Sequence, residues 1–210
     1  FVQLFNGKDL TGWEGFADLW SVKDGAIVGE TKSDPKLVHN TFLVYTKQEF
    51  GNFELRLSFR INSKWANSGI QFRSKVVEKG KMGPIAAGYQ GDMESGDSYT
   101  GMLYEERGRV IIGPRGHKTI IGADGKTTTE ASDVAKSADV QASIKAGQWN
   151  EYKIIAKGNV IQLFINGLKS AELVDNQEAK AAKSGLIAFQ LHVGQPMQLE
   201  FKDIRIKELK

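Results

Sequence analysis

The chain has 210 residues, of which 40% are hydrophobic, and its 28 lysines and arginines nearly balance its 25 acids, for a formal net charge of +3. The basic residues are scattered and no apolar segment approaches the roughly 20 residues of a membrane span, so neither nucleic acid nor a membrane is indicated as a partner. The chain has no cysteine, which excludes a disulfide framework and a thiolate site.

Short β-prone segments separated by turn signals follow one another along the chain. Residues 20–30 predict a hairpin around Asp24-Gly25. Phe53–Ile61 alternates apolar and polar residues over nine positions, which predicts a strand with one apolar face. Further strands are predicted at 41–45, 67–74, 89–94, 152–157, 160–165, 168–174, 186–193 and 198–209, with two short apolar runs within 109–121. The last strand loses its alternation at Lys202-Asp203, which indicates a bulge.

Residues 122–147 are polar and interrupt this series of strands. We interpret them as an insertion, a loop with a helical turn near 132–136, because strands resume after it. The many short strands and the near absence of helical periodicity predict an all-β fold, a two-sheet β-sandwich or jelly roll. Its length suits a single domain over residues 1–210. Since the chain opens at Phe1 without a methionine, we expect a mature or trimmed form from which any signal peptide has been removed.

The stretch 88–105, GYQGDMESGDSYTGMLYE, gathers acids and tyrosines between glycines. Such a composition is typical of a loop-rich site carried by a rigid scaffold, although a solvated hairpin with an acidic tip would also produce it.

Large polar side chains recur on the face opposite the core in four predicted strands. Planar amides and guanidinium groups suit a ligand with many hydroxyl groups, so the pattern indicates a sugar-sized polar ligand; the alternative is a plain solvated face. These side chains are Glu54, Arg56 and Arg60, then Gln71 and Arg73, then Gln90 and Asp92, and finally Gln190 and His192. Trp65, in the polar loop before residue 67, is a candidate for stacking on a sugar ring, unless it only packs its own loop.

His192 and Asp92 are the candidates for chemistry. If their strands lie close together, the pair could exchange protons near neutral pH or serve as ligands of a divalent metal ion. No metal-binding motif with fixed spacing, no G-x-S-x-G element and no phosphate-binding loop is present. A possible metal ion is therefore the only cofactor that the residues suggest.

Several segments together resemble the bacterial 3-keto-disaccharide hydrolase domain family, once catalogued as a domain of unknown function and as candidate glycosyl hydrolases. They are FVQLFNGKDLTGW, GNFELRLSFRI, NSGIQFRS, GYQGDM, TGMLYEE, GQWNEYKIIAKGNVIQLFINGL and LIAFQLHVGQPMQLEFKDIRIKEL, in that order over nearly the whole chain. The resemblance implies a concanavalin-A-like jelly roll that is exported to the periplasm, the cell surface or the medium.

The same resemblance implies cleavage of glycosides that carry a ketone at sugar C3. A base removes the acidified C2 proton, the C1 substituent leaves by β-elimination, and water adds back; a metal ion is one way to stabilise the enolate. The matching positions are Arg73, Gln90, Asp92, Tyr104, Glu105, Gln190 and His192. Asp92 or His192 is expected as the base, Glu105 as a further catalytic residue, and Arg73 or a cation at the oxyanion, while Gln90, Gln190 and Tyr104 orient the sugar. The polar rows and the loop before residue 67 add Gln71, Arg56 and Trp65 as candidates for sugar binding.

Other functions fit the same fold. A non-catalytic carbohydrate-binding module would need the amides and aromatic rings but no proton-transfer groups, and a partner-binding adhesion module would expose a larger apolar patch. Asp92 and His192 favour the enzyme, with a glycoside or oligosaccharide as its partner.

Overall fold

The computed structural model describes residues 1–210, and the strand with the clearest alternation lies at the centre of one sheet. In this strand, Phe53, Leu55, Leu57 and Phe59 are buried while the residues between them are half-buried. The alternating sequence produces this pattern of burial because successive side chains of a strand point to opposite faces of the sheet.

The chain forms seventeen strands and one short helix. The strands are β1 Val2–Gln3, β2 Trp13–Glu14, β3 Trp20–Lys23, β4 Ala26–Glu30, β5 Thr41–Tyr45, β6 Phe53–Ile61, β7 Asn67–Gly80, β8 Gly83–Glu94, β9 Leu103–Glu106, β10 Val110–Gly113, β11 Lys118–Ile121, β12 Thr127–Glu130, β13 Asn150–Lys157, β14 Val160–Ile165, β15 Leu168–Asp175, β16 Leu186–Leu191 and β17 Gln198–Glu208, and the helix α1 is Ser137–Ser143. None of the helical structure is long and apolar enough to cross a bilayer.

Two sheets pack face to face. The ten-stranded sheet has the order β12-β11-β15-β14-β13-β6-β17-β4-β3, with β1 also paired to β17, and the seven-stranded sheet has the order β10-β9-β8-β7-β16-β5-β2. Neighbouring strands are antiparallel except β11 and β15. The predicted all-β sandwich of jelly-roll type is therefore confirmed.

Aromatic rings from both sheets fill the space between them. Phe189 of β16 stacks on Phe201 of β17 with ring centroids 4.0 Å apart, and Phe53 of β6 meets Phe72 of β7 edge to face at 6.1 Å. Each of these side chains is fully buried or nearly so, and burying a phenylalanine contributes about 1.5–3 kcal/mol. The inner faces are thus occupied by the core, and a ligand can only reach the outer ones.

The position of β6 corrects one expectation from the sequence. β6 lies between β13 and β17 in the ten-stranded sheet, whereas β7, β8 and β16 belong to the other sheet. The polar rows of these strands therefore face opposite surfaces of the sandwich. Arg56 and Arg60 do not share a face with Gln71, Gln90 and Gln190, because alternation within a strand does not report which sheet the strand joins.

The hairpin of β7 and β8 is long, and it bends across the outer face of its own sheet. The register between these strands shifts twice, between Phe72 and Lys75 and between Val76 and Glu78. Beyond the bend the hairpin reaches β5, where the Thr41 hydroxyl donates to the carbonyl of Met82 at 2.6 Å. This covers the part of the outer face near β5 and leaves the part formed by β16, β7, β8 and β9 open.

The polar segment 122–147 is more structured than expected. It contains β12, which pairs with β11, and α1, which begins at Ser137 rather than within 132–136. The Arg115 guanidinium donates to Ser137 Oγ and Gln141 Oε1, both at 2.9 Å, so tertiary contacts fix the helix there. The bulge predicted near Lys202-Asp203 is confirmed: the register of β17 shifts there and Asp203 has φ +54°.

Candidate functional site

The polar rows of four neighbouring strands meet on the outer face of the seven-stranded sheet. Gln71 of β7 is paired in register with Gln90 of β8, and Gln90 is paired with Tyr104 of β9. Gln190 of β16 lies on the other side of β7. Gln71 and Gln190 are fully buried although they belong to the outer face, so neighbouring side chains cover these two residues.

The amide groups form a directed chain of hydrogen bonds that ends at carboxylates. Gln71 Nε2 donates to Gln90 Oε1 at 2.8 Å, and Gln90 Nε2 donates to Asp92 Oδ1 at 2.7 Å. Gln190 Nε2 donates to Glu106 Oε2 at 3.1 Å. Because each amide has one donor end and one acceptor end, the bond from Gln71 fixes the side of Gln90 that faces Asp92. Gln71 Oε1 itself has no partner.

Asp92 is the most perturbed acid of the site. Its side chain belongs to a residue with only 6% exposure. Burial, helped by the negative charges of Glu106 and Glu94, raises the pKa of Asp92 to about 7, although the hydrogen bond from Gln90 opposes the shift. A carboxyl group with this pKa is present in both protonation states near neutral pH, as a general base or acid requires.

A cavity of about 220 Å³ opens over this chain of amides. Its walls carry carboxyl, amide, imidazole and phenol groups but no lysine or arginine. The lining residues are Asn40, Asn67, Gln90, Asp92, Tyr99, Met102, Tyr104, Glu106, Ile111, Gln190 and His192. The Asn67 amide and the Tyr104 hydroxyl make no hydrogen bond to the protein, so both are available to a ligand. Burial, with Glu106 and Asp92 nearby, raises the pKa of Tyr104, which keeps its hydroxyl protonated.

His192 lines the same cavity but does not pair with Asp92. Its Nδ1 lies 2.6 Å from the carbonyl oxygen of Val193, which can only accept, so Nδ1 carries the proton and Nε2 of the neutral ring has a free lone pair. The strand β7 separates β16 from β8, and neither a hydrogen bond nor an ion pair joins His192 to Asp92. The pairing expected from the sequence is therefore not formed.

The side chains do not assemble a metal site. No group of three or more histidine, cysteine, aspartate or glutamate side chains is arranged to hold an ion. Asp92 Oδ1 already accepts a hydrogen bond from Gln90, and Glu106 accepts from Asn40 at 3.2 Å and from Gln190. Asp92 and His192, the two candidate ligands, line the same cavity, but no third side chain is arranged with them to complete a metal site.

Two of the predicted residues lie away from the cavity. Arg73 sits at the first bulge of β7 with φ +46°, which turns its side chain toward loops, where it donates to the carbonyls of Gly51 at 2.8 Å and Gly158 at 2.7 Å. Glu105 is bound by Arg109 at 2.7 Å and 2.9 Å, and the same guanidinium also binds Asp175 at 2.7 Å. The hydrogen bonds of both side chains therefore connect strands with loops and do not point into the cavity.

Two candidates for sugar binding, Arg56 and Trp65, are also outside the cavity, and the fully buried Gln71 does not line it either. Arg56 pairs with Glu54 on the opposite surface of the sandwich, with Nη2 and Oε1 2.5 Å apart, and its guanidinium lies over the Phe1 ring at 5.2 Å. Trp65 is 64% exposed and does not line the cavity; the Lys64 ammonium lies 4.9 Å from its ring centroid.

The structure adds residues that the sequence did not single out. Glu106 lines the cavity in place of Glu105, because in β9 Tyr104 and Glu106 share a face and Glu105 points the other way. That alternation was visible in the sequence LYEE. Asn40 also lines the cavity, but it lies in a loop where no periodicity marks it, whereas Tyr99 belongs to the stretch 88–105 that the sequence indicated as a site.

Comparison with known proteins places the chain in a family. The model of the 3-keto-alpha-glucoside-1,2-lyase-like domain matches residues 1–207. No curated protein matches the chain.

Solved structures share the fold. Two candidate glycosyl hydrolases from Parabacteroides distasonis ATCC 8503 are similar: one is 23% identical with a TM-score of 0.56, over 99% of this chain and 93% of that one, and the other is 20% identical with a TM-score of 0.60, over 99% and 98%. The carbohydrate-binding module CBM66 from Bacillus subtilis is 12% identical with a TM-score of 0.59, over 94% and 96%. At these identities the structures establish the jelly-roll fold alone. The family match over nearly the full length confirms the resemblance found in the sequence, and the chain belongs to the 3-keto-alpha-glucoside-1,2-lyase-like domain family.

Proposed function

We propose that the protein cleaves 3-keto-glycosides by elimination across C1 and C2 of the sugar, with Asp92 as the base. The observation that carries this proposal is a nearly buried carboxyl group with a pKa of about 7 on the floor of a cavity that has no cation. A ketone at C3 acidifies the hydrogen on C2, so a carboxylate of this basicity is strong enough to remove it.

The electrons can be followed through the reaction. Asp92 takes the C2 proton, and the electrons of the C2–H bond give an enolate with its negative charge on the C3 oxygen. The ketone then re-forms, a double bond forms between C1 and C2, and the C1–O bond breaks. The alcohol leaves with a proton from the acid form of Asp92. Water added across the double bond gives the free 3-keto sugar.

Tyr104 and Asn67 are suited to stabilise the enolate. Both present hydrogen-bond donors to the cavity that no protein group uses, and donors placed where charge develops lower the barrier more than they strengthen substrate binding. They take the role that Arg73 was expected to fill. The glutamines act differently: the N–H groups of Gln90 and Gln190 are directed at Asp92 and Glu106, so these residues hold the acids in place.

The cavity volume limits what enters it. At about 220 Å³ it is smaller than the ~300–1,000 Å³ pockets of drug-sized ligands, which suits one sugar ring. Tyr99 and Ile111, 42% and 48% exposed, give it an apolar rim against which the ring can pack.

A chromogenic 3-keto-glucoside, assayed beside its unoxidised parent in D2O and with or without EDTA, tests the proposal. We expect release from the keto compound alone and, in the sugar product at early times, deuterium at C2, because C2 loses its proton in the elimination and gains deuterium from D2O when water adds across the double bond. Equal release from the parent would contradict it. Sugar binding without any release would support a non-catalytic carbohydrate-binding module. Loss of release in the presence of EDTA would show that the reaction needs a metal ion, for which the protein side chains alone do not form a site.

Export from the cell belongs to the same proposal and is supported by the family resemblance. Fractionation of the native organism, with the protein traced by antibody, should place it outside the cytoplasm.

A further inference from the structure

The cavity of about 220 Å³ that contains Asp92 is called the sugar cavity from here on. A second and larger cleft of about 710 Å³ adjoins it. Glu106 lines both, and its two carboxylate oxygens are held by the Asn40 and Gln190 amides at 3.2 Å and 3.1 Å. The Glu106 side chain is therefore a fixed part of the wall between the two spaces. A ligand that extends from the sugar cavity past Glu106 enters this cleft.

Small residues keep the floor of the cleft open. Ser74, Ala87 and Gly88 lie where β7 and β8 pass each other just beyond the first bulge of β7. Gly88 has φ +141°, and a Cβ at this position would overlap Ser74. No larger residue can occupy it without moving the hairpin, so the cleft is a consequence of how the strands cross.

The cleft differs from the sugar cavity in charge. Lys75, Arg107 and Lys180 line it, are exposed, and make no ion pair within the chain. Arg73 lies beneath them and donates only to carbonyl oxygens of the main chain and of Asn52. Among the acids of the cleft, Glu105 is already neutralised by Arg109.

Four unpaired cations therefore face two unpaired acids, Glu49 and Glu106, whereas the sugar cavity contains acids and no cation. Unpaired positive charge around a concave surface raises the local concentration of anions.

We propose that this cleft is a second subsite, which binds an anionic group on the part of the substrate that leaves from C1. The proposal rests on the proposed function, since it assigns the sugar cavity to the keto ring. The ligand class is a glycoside whose leaving group carries a carboxylate or a sulfate ester, recognised by Arg107 and Lys180, which both line the cleft.

The test is equilibrium binding by calorimetry to three disaccharides with the same linkage, in which a glucosyl ring is joined to glucose, to glucuronate or to glucose 6-sulfate. We expect both acidic ligands to bind about tenfold more tightly than the neutral one at low salt, the size expected for two partly exposed charge pairs. The preference should disappear in the Arg107→Gln/Lys180→Gln variant. The control is Arg205→Gln/Lys207→Gln, which removes the same charge from β17 of the other sheet and should keep the preference.

Equal affinity for the three ligands, binding of none, or loss of the preference in the control as well would overturn the subsite. A preference for only one acidic ligand would keep the subsite and identify its anion. Turnover of the 3-keto-glucoside is a separate readout. If the keto compound is cleaved without any anion preference, only the subsite is wrong, and if the preference exists without cleavage, only the proposed reaction is wrong.

Discussion

The two outer faces of the sandwich have the same alternating sequence pattern, but they differ in which groups bind their charged side chains. On the ten-stranded sheet Arg60 binds Glu200 at 2.5 Å and lies over the Trp149 ring at 4.6 Å, and Arg56 binds Glu54. On the seven-stranded sheet Asp92 and Glu106 accept hydrogen bonds from amides alone.

The difference shows which polar face can do chemistry. An acid that is paired with a guanidinium keeps a low pKa, as Glu200 does beside Arg60, and has no reason to take up a proton near neutral pH. Asp92 is buried and receives its hydrogen bond from an amide instead of a cation, and burial raises its pKa to about 7. A row of polar side chains therefore indicates a reactive site when its acidic groups accept hydrogen bonds from neutral donors and form no ion pair with a cation.

Replacing Asp92 with asparagine should have the largest effect. Asp92→Asn keeps the acceptor for Gln90 but removes the base, so turnover of a 3-keto-glycoside should fall about a thousandfold. Steady-state kinetics on the purified variant measure this. Glu54→Gln, which breaks a paired acid on the other face, is the control and should leave turnover unchanged. An Asp92→Asn enzyme with normal turnover would remove Asp92 from the mechanism.

The same substitution should stabilise the fold at alkaline pH. The pKa of Asp92 is about 7 in the folded chain against 3.8 for a free side chain, so ionisation destabilises the folded state increasingly as the pH rises from about 4 to about 7. At pH 8 the free energy of unfolding of Asp92→Asn should exceed that of the wild type by about 2–4 kcal/mol, and the difference should vanish toward pH 4. Urea denaturation at pH 4, 6 and 8 measures it, and a difference independent of pH would be the contrary result.

Removing the Gln71 amide, the first in the series of hydrogen bonds that ends at Asp92, should have a smaller effect on turnover. This effect separates a role in positioning Asp92 from a role in folding. Gln71→Met should lower kcat about tenfold, the lower end of what proton-transfer geometry contributes, because Gln90 is no longer held with its N–H toward Asp92. The rise of the pH–rate profile should move to higher pH, since the bond from Gln90 lowers the pKa of Asp92.

Stability should change little in Gln71→Met, within about 1 kcal/mol, since the substitution also removes a buried acceptor without a partner. Gln162→Met, which breaks a comparable 2.8 Å bond to Glu172 on the ten-stranded sheet, should alter neither kcat nor the pH profile. An unchanged profile in Gln71→Met would mean that Gln71 only fills space.

Periodicity predicted local structure well and the assembly of the site only in part. The strand Phe53–Ile61, the bulge near Asp203 and the outward rows of β8 and β16 were all readable, because each depends on neighbouring residues. The sequence did not predict which sheet β6 joins, because the strands that pair with it are selected by contacts between residues that are distant in sequence. Arg73 left the expected face because a bulge reverses the alternation after it, and no residue type announces that bulge.

The sequence also did not indicate Asn40 as a site residue. Asn40 holds Glu106 in place, yet its position depends on how the chain between two strands folds back over the sheet.

The position of β17 has a consequence for how the chain is made on the ribosome. This last strand of eleven residues lies between β4 and β6, so during translation the ten-stranded sheet exists as two separate pieces with open edges. Both edges expose unpaired main-chain groups, and β6 also exposes four aromatic and aliphatic side chains of the future core. Completion of the sheet therefore waits until β17 has been synthesised, and nascent chains stalled before it are the species on which chaperones would have to act.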